Sequence, residues 1–271
     1  MIPLMPRLVS ALLLALYFSS IALFAEMEPQ KFIYKEVDGQ SLELFVFLPE
    51  HQSTPTPAIV WYYGSGFNKR EPGQFFEHGK ILAKLGMASI STKIRGAAGN
   101  RENRDITPCL EDAKSAFRWV RSRVDKFNLD PDRIAVGGGS SGGYLAAAMA
   151  TLPDFDTPSE DLKVPVDPSL QVLFNPFLGR VDFPKELAPL KNVTKDTPPA
   201  ILFQGTEDTT TPLSLAYQYQ ISISQPGNES RVVVYEGQKH GFFNYRDGGN
   251  PYYYKTVGDM LVFLEAHGYL K

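Results

Sequence analysis

Cysteine, histidine and positive charge are scarce in this sequence, and each shortage excludes a class of protein or narrows a search. The 271 residues contain one cysteine, Cys109, so no intrachain disulfide can form and no thiolate cluster can hold a structural zinc. Lysine and arginine number 27 against 30 aspartates and glutamates, which leaves a net charge of −3. Without an excess of positive charge or a basic stripe, nucleic acid is not expected as a partner.

Residues 1–25 differ in composition from the rest of the chain, because Arg7 is their one charged residue and a long uncharged run follows it. A basic start, an apolar centre and a small-x-small site are typical of a secretory signal peptide, with cleavage after Ala22 or Ala25. An uncleaved membrane anchor is the competing interpretation, since the run is near the lower limit for spanning a bilayer. Glu26 follows where a stop-transfer segment would place basic residues. We therefore expect removal of the signal, no stable membrane insertion, and a secreted or periplasmic protein.

Residues 26–271 alternate strand-like and helix-like segments without a repeat, a linker or a low-complexity stretch. An opening pair of strand-like runs is joined by Asp38-Gly39, which predicts an antiparallel hairpin. Buried-strand runs such as Ala58–Tyr63 then alternate with amphipathic helices such as Pro108–Phe127. The further predicted strands are 87–92, 134–136, 170–174, 199–204 and 231–235, and the further helices are 75–85, 213–224 and 252–267. This βαβ succession predicts a single α/β domain with a mainly parallel twisted sheet and helices on both faces.

The segment Ile134–Ala150 combines a strand-like run, a glycine–serine turn and an alanine-rich helix. Strand, Gly-x-Ser-x-Gly turn and helix together describe a nucleophile elbow, in which small neighbours let a strained serine stand at the carboxyl edge of a sheet. Both Ser140 and Ser141 satisfy the motif. We prefer Ser140, because the strand then ends directly before it and the helix begins near Gly142. A phosphate-binding loop is the alternative, but the Gly-Lys-Ser/Thr ending of that motif is missing.

A second glycine-containing turn directly follows the predicted strand that ends at Tyr63. In hydrolases of this architecture, a His-Gly-Gly-Gly segment at this place supplies backbone N–H groups to the oxyanion hole. Tyr63 and Ser65 depart from that pattern. We predict that the N–H groups of Gly64, Ser65, Gly66 and Ser141 stabilise a tetrahedral oxyanion, with an ordinary strand-to-helix turn as the competing interpretation.

A serine hydroxyl becomes a nucleophile when a base removes its proton, and the base is oriented by an acid. In this architecture the chain order is Ser, then Asp or Glu, then His. Two of the four histidines precede the elbow and His267 lies in the last predicted helix, which leaves His240 as the base. Asp208 ends a strand at the same predicted edge and is our choice of acid, with Glu207 and Asp182 as alternatives.

Three ordered motifs resemble the α/β-hydrolase esterases related to hormone-sensitive lipase and the bacterial acetyl esterases. They are Val136–Ala146 (VGGGSSGGYLA), Gly205–Asp208 (GTED) and Lys239–Phe243 (KHGFF), and the segment Asp112–Arg121 is also similar to exported bacterial members. The resemblance runs from about Lys31 to the carboxyl terminus. It implies the α/β-hydrolase fold and hydrolysis of carboxylic esters through an acyl-serine intermediate, without a metal or an organic cofactor. It also implies acetylated sugars or polysaccharides as substrates.

Three functions stay open at this point. A secreted short-acyl carboxylesterase, acting on a small-molecule or carbohydrate ester, is favoured by the complete order of Ser140, Asp208 and His240. A prolyl-oligopeptidase-like serine peptidase would share these motifs, but this chain lacks the length for a propeller and an acidic amine-binding segment. A non-catalytic binding protein on the same scaffold is the third, because a fold alone does not confer chemistry.

Overall fold

The computed structural model describes residues 27–69, 72–100, 103–179, 184–225 and 227–271. The predicted signal peptide and Asp182, the alternative acid, lie outside the described residues. The strands are β1 Gln30–Val37, β2 Gln40–Phe47, β3 Thr56–Tyr62, β4 Ala88–Thr92, β5 Leu129–Gly139, β6 Gln171–Phe174, β7 Ala200–Gly205 and β8 Ser230–Tyr235. The helices are α1 Phe76–Lys84, α2 Thr107–Arg121, α3 Val124–Phe127, α4 Ser141–Thr151, α5 Leu213–Ser224 and α6 Pro251–Ala266.

The described strands form one sheet of eight, in the order β1-β2-β4-β3-β5-β6-β7-β8. β1 and β2 form an antiparallel hairpin, β2 pairs antiparallel with β4, and every later pairing is parallel. The hairpin turns at Asp38 and Gly39, whose φ angles of 52° and 68° are the left-handed pair of a two-residue turn. The predicted α/β fold class is confirmed, including the amino-terminal hairpin.

Two hydrophobic cores cover the two faces of the sheet. Every residue of β3 is buried, with Val60 and Tyr62 in the core beneath α2, α4 and α5 and with Ile59 and Trp61 in the core beneath α1 and α6. Because side chains alternate along a strand, a continuous apolar run is what a strand covered on both faces requires. In the part of the chain that the structure describes, no helix combines the length and apolarity needed to cross a bilayer.

The prediction of one helix over Pro108–Phe127 is wrong, because α2 ends at Arg121 and α3 starts at Val124. Arg123 has a φ of −128°, outside the helical range. The side chains of Ser122 and Arg123 both donate to the carbonyl oxygen of Trp119, over 3.0 and 3.2 Å. That carbonyl would accept the Arg123 N–H in a continuous helix, but the Arg123 N–H donates instead to the Val120 carbonyl over 3.0 Å, which tightens the last turn and ends α2.

β5 is longer than predicted and positions the site. Leu129 pairs with Thr56, and pairing resumes with Ile134 opposite Ala58, so residues 130–133 bulge from the ladder. Since β3 and β5 to β8 are all parallel, the segments after them meet at one edge of the sheet. Every residue that we predict to take part in chemistry lies in these segments.

Candidate active site

Ser140 lies between β5 and α4 with φ 53° and ψ −117°, a backbone conformation that residues other than glycine rarely adopt. The chain can turn this tightly because its neighbours are glycines. A Cβ atom on Gly142 would lie 2.0 Å from the carbonyl oxygen of Tyr62, and one on Gly138 would lie 2.3 Å from the carbonyl oxygen of Gly142. The local geometry is therefore the strand–turn–helix arrangement of a nucleophile elbow.

The structure brings Ser140, His240 and Asp208 together at the predicted edge. Ser140 Oγ lies 2.9 Å from His240 Nε2, and His240 Nδ1 lies 2.8 Å from Asp208 Oδ2. Both separations are hydrogen-bond distances. The side chain of Ser141 faces elsewhere, because its Oγ accepts the N–H of Ser65 over 2.9 Å. Glu207, the neighbouring alternative acid, is exposed. The arrangement can pass a proton from the Ser140 hydroxyl to His240 while Asp208 holds the imidazole.

Asp208 is buried but remains a carboxylate. Burial would raise its pKa, yet hydrogen bonds from His240 and from the backbone and side chain of Thr211 outweigh that effect and lower the pKa below its usual range. Its Oδ1 accepts the N–H groups of Thr210 and Thr211, each over 2.9 Å. Its Oδ2 accepts from Thr211 Oγ1 at 2.8 Å and Gln204 Nε2 at 3.2 Å, besides facing His240. These donors hold the negative charge in the orientation that His240 needs.

The predicted oxyanion turn packs directly against Ser140. A Cβ atom on Gly64 would lie 3.1 Å from the Cβ of Ser140 and 2.7 Å from the carbonyl oxygen of Gly139. Gly66 has a φ of 61°, in the left-handed region that favours glycine. Ser65, where the resembled families have glycine, is accommodated at the exposed side of the turn, since its Oγ donates to the carbonyl of Asn68 over 2.6 Å.

Two of the four predicted oxyanion donors already have acceptors within the protein. The Gly64 N–H donates to Gln74 Oε1 over 2.6 Å, and the Ser65 N–H donates to Ser141 Oγ over 2.9 Å. The N–H groups of Gly66 and Ser141 have no acceptor among the described residues. Unlike the N–H groups of Gly64 and Ser65, these two are therefore not held by an acceptor that the structure describes.

Three amide side chains that the motifs did not predict also belong to the site, namely Gln74, Asn175 and Asn244. Asn175 is fully buried and accepts the N–H of Gly241, next to His240, over 3.0 Å. A signal for Asn175 exists in the sequence, because it is a polar residue directly after a buried apolar strand at the functional edge. No comparable pattern marks Gln74 or Asn244, which come from a 3₁₀ turn before α1 and from the loop after β8.

These groups surround a cavity of about 250 Å³. The volume is below the roughly 300–1,000 Å³ of pockets for drug-sized ligands. Its lining comprises Gly64, Ser65, Gly66, Gln74, Ser140, Asn175, His240, Gly241, Phe243 and Asn244.

Comparison with known proteins agrees with this geometry. The BD-FAE family model matches residues 44–172, a span that includes the turn after β3 and the elbow. An acetylxylan esterase from Xylanibacter ruminicola is 26% identical over 80% of this chain and 48% of its own length. Esterase LipC of Mycobacterium tuberculosis is 30% identical over 69% of this chain and 53% of its own. This chain thus spans about half the length of these two relatives.

Solved structures resemble the chain over nearly all of its length. A thermophilic esterase from Thermogutta terrifontis superposes with a TM-score of 0.83 and 32% identity, covering 90% of this chain and 94% of that one. The same esterase with propionate bound has a TM-score of 0.83 and 33% identity, covering 90% of this chain and 96% of that one. Likeness in sequence and fold over such a span confirms the resemblance inferred from the motifs. The chain belongs to the α/β-hydrolase esterase family.

Proposed function

We propose that this chain is a serine carboxylesterase that hydrolyses short-acyl esters through Ser140, His240 and Asp208. The observation that carries the proposal is the continuous hydrogen-bonded path from Ser140 Oγ through both nitrogens of His240 to Asp208, with steps of 2.9 and 2.8 Å. A nucleophile, a base and an orienting acid within hydrogen-bond reach are what acyl transfer to a serine requires.

In the first half of the reaction, His240 Nε2 takes the Ser140 proton as Oγ attacks the ester carbonyl carbon. The resulting oxyanion accepts hydrogen bonds from the N–H groups of Ser141 and Gly66, and the Ser65 N–H joins them if it leaves Ser141 Oγ. The imidazolium then gives its proton to the departing alkoxide, which leaves as the alcohol. In the second half, water attacks the acyl carbon while His240 Nε2 takes a proton from it. The imidazolium then returns this proton to Ser140 Oγ as the bond between Oγ and the acyl carbon breaks, and the carboxylic acid is released.

The small cavity supports a short acyl group. Its volume of about 250 Å³ is enough for a small acyl group beside Ser140. The relative named acetylxylan esterase and the propionate-bound esterase structure point in the same direction. We therefore propose acetyl esters as the preferred substrates. The acetylxylan esterase relative extends the proposal to acetylated sugars or polysaccharides.

The proposal includes the organisation of the chain. Residues 26–271 form one catalytic domain, and residues 1–25 serve as a signal peptide that is removed on export. Its support is the charge and apolar pattern of the amino-terminal segment.

The test is the hydrolysis of 4-nitrophenyl acetate by Ser140→Ala, with Ser122→Ala as a serine control on the surface. We expect Ser140→Ala to lose kcat on the order of 10⁶-fold, and the control to match the unsubstituted protein. A fluorophosphonate probe should label the protein at Ser140, as mapped by mass spectrometry. Hydrolysis that survives Ser140→Ala would overturn the proposal, and absence of labelling would favour a non-catalytic scaffold.

The choice of acid is tested with a matched pair of adjacent residues. Asp208→Asn should lower kcat by about 10⁴-fold, because an amide holds the imidazole in the wrong tautomer. Glu207→Gln, one position away and exposed, should keep full activity. If Glu207→Gln lost activity and Asp208→Asn kept it, Glu207 would be the acid that orients His240.

Substrate class is tested by a series of 4-nitrophenyl esters from acetate to octanoate, beside acetate release from acetylated xylan. We expect kcat/KM to fall with acyl length and acetate to be released from the polysaccharide. Chromogenic peptide substrates belong in the same series, since faster peptide than ester hydrolysis would favour the peptidase alternative.

A further inference from the structure

A chain of hydrogen bonds between amide groups crosses the cavity from the glycine turn to the loop that carries His240. The Gly64 N–H donates to Gln74 Oε1 over 2.6 Å, and Gln74 Nε2 donates to Asn244 Oδ1 over 2.8 Å. Asn244 Nδ2 then donates to the carbonyl oxygen of Gly241, also over 2.8 Å. The chain joins the segment after β3 to the segment after β8, which β5, β6 and β7 separate in the sheet.

The orientation of each amide in this chain follows from its backbone partner. A backbone N–H can only donate, so the Gln74 atom facing Gly64 is the oxygen and its nitrogen faces Asn244. A backbone carbonyl can only accept, so the Asn244 atom facing Gly241 is the nitrogen and its oxygen faces Gln74. The two assignments agree, because they place the nitrogen of Gln74 opposite the oxygen of Asn244 in the bond between the side chains. All three bonds point in the same direction, an arrangement in which each bond polarises the next.

The far end of the chain is anchored in the core. The N–H of Gly241 donates to Oδ1 of the fully buried Asn175 over 3.0 Å. Gly241 is therefore held at its N–H by Asn175 and at its carbonyl by Asn244. Since Gly241 directly follows His240, both contacts restrict where the imidazole can lie.

The chain also passes directly beside the nucleophile. A Cβ atom on Gly139, the residue before Ser140, would lie 3.4 Å from Gln74 Nε2 and 2.6 Å from Cζ of Phe243. Because Gly139 has no side chain, the Gln74 amide can lie alongside the elbow.

We propose that Gln74 and Asn244 are positioning residues that hold the oxyanion turn and the His240 loop at a fixed spacing across the cavity. The inference rests on the proposed function, and it gives these residues no contact with the reacting atoms. The turn has to meet the oxygen that becomes negatively charged, while His240 has to meet Ser140 Oγ. Their relative placement therefore affects the transition state more than the binding of the ester.

The test uses Gln74→Met, Asn244→Leu and the double variant, assayed on 4-nitrophenyl acetate with thermal unfolding as the check on folding. Each single variant should lower kcat roughly tenfold to a hundredfold, the scale expected for misplaced catalytic groups, with a smaller change in KM. Either substitution breaks the same bridge. The kcat of the double variant should therefore lie within about twofold of the kcat of the slower single variant.

Gln238→Met is the matched control. Gln238 lies on the same loop as His240, but among the described residues its Nε2 donates to the Glu236 carbonyl, within that loop, over 3.4 Å. It should keep the kcat of the unsubstituted protein.

Unchanged kcat, a change confined to KM, or losses that multiply in the double variant would overturn the inference. If Gln74→Met does not fold, Gln74→Glu decides the matter, because a carboxylate keeps the acceptor for Gly64 but cannot donate to Asn244. Gln74→Glu should then show the kcat loss of Asn244→Leu, and full activity would refute the bridge. Failure of the proposed function is distinct, since it appears as activity in Ser140→Ala.

Discussion

His78 lies inside the hydrophobic core and not at the active site, although it is one of four histidines in the chain. Four aromatic rings surround it, with centroid distances of 4.9 Å to Tyr253, 5.1 Å to Phe75, 5.5 Å to Phe174 and 5.9 Å to Trp61. Neither ring nitrogen has a hydrogen-bond partner among the described residues. Burial in these surroundings lowers the pKa of His78 to about 3, because a charged imidazolium cannot be solvated there.

This pKa makes stability depend on pH. The unfolded chain takes up a proton at His78 below its ordinary pKa of about 6.5, whereas the folded chain does not do so until about pH 3. The unfolded state thus binds more protons in this window, and the free energy of unfolding falls by up to about 1.4 kcal/mol per pH unit as the pH drops from 6.5 towards 3.

We predict that His78→Phe unfolds with a shallower pH dependence than the unsubstituted protein between pH 6.5 and 4. Urea unfolding at several pH values measures the slope. His51→Gln, at an exposed histidine, is the control and should leave the slope unchanged. Equal slopes for the unsubstituted protein and His78→Phe would show that His78 does not carry this dependence.

From the sequence, a single residue could be proposed for the site where its residue type is rare or its motif is ordered. His240 could be singled out because few histidines follow the elbow, and Asp208 because it ends a strand between Ser140 and His240. Gln74 and Asn244 could not be predicted in this way. Glutamine and asparagine are common, their neighbours form no motif, and their roles depend on a hydrogen bond between residues 170 positions apart.

At the scale of elements, glycine has opposite consequences in two helices. Gly142 is in the first turn of α4, where an added Cβ would lie 2.0 Å from the Tyr62 carbonyl oxygen, a backbone atom that cannot move aside alone. Gly258 is exposed within α6, and an added Cβ would meet no atom within 4 Å.

We therefore predict opposite effects for the same substitution. Gly142→Ala should destabilise the protein by about 1–3 kcal/mol or more and should sharply reduce kcat, because it displaces the elbow from β3. Gly258→Ala should stabilise the protein by about 0.5–1 kcal/mol without a change in kcat. Denaturant unfolding and steady-state kinetics measure both variants. Equal stability of Gly142→Ala and the unsubstituted protein would contradict the close approach of α4 to β3.

Helices and turns could be predicted from the sequence where the residues within the segment determine its structure. The span of α5 matches the predicted helix 213–224, and the hairpin turn falls at Asp38-Gly39, as the dipeptide indicates. The break between α2 and α3 was missed. Hydrophobic periodicity continues across it, whereas at the break the Trp119 carbonyl accepts two side chains and the Arg123 N–H donates to Val120.

At the scale of the whole molecule, the order of the strands in the sheet brings the residues of the site together. Ser140, Asp208 and His240 follow β5, β7 and β8, and the turn at Gly64 follows β3. They are far apart along the chain, but parallel pairing sets all four at one edge. The family resemblance allowed this meeting to be predicted. The occupied N–H groups of the turn could not be predicted, because their acceptors are set by three-dimensional packing.

The position of β1 in the sheet is also relevant to the amino-terminal segment that precedes it. β1 begins at Gln30, lies at the edge of the sheet and pairs only with β2. In the part of the chain that the structure describes, both hydrophobic cores are built from residues that follow the start of β1. We therefore expect the described fold to form without the segment that cleavage after Ala22 or Ala25 would remove.

We predict that the full chain, expressed in a bacterium, is recovered outside the cytoplasm with an amino terminus at Leu23 or Glu26, as read by intact mass. Leu13→Arg places a charge within the apolar run of the signal and should leave the protein in the cytoplasm with Met1 or Ile2 at its start. A shortened chain of residues 26–271, made in the cytoplasm, should match the exported protein in thermal unfolding and kcat. An exported protein that retains residues 1–25 would instead indicate a membrane anchor. Loss of folding in the shortened chain would mean that the sheet edge needs the segment before β1.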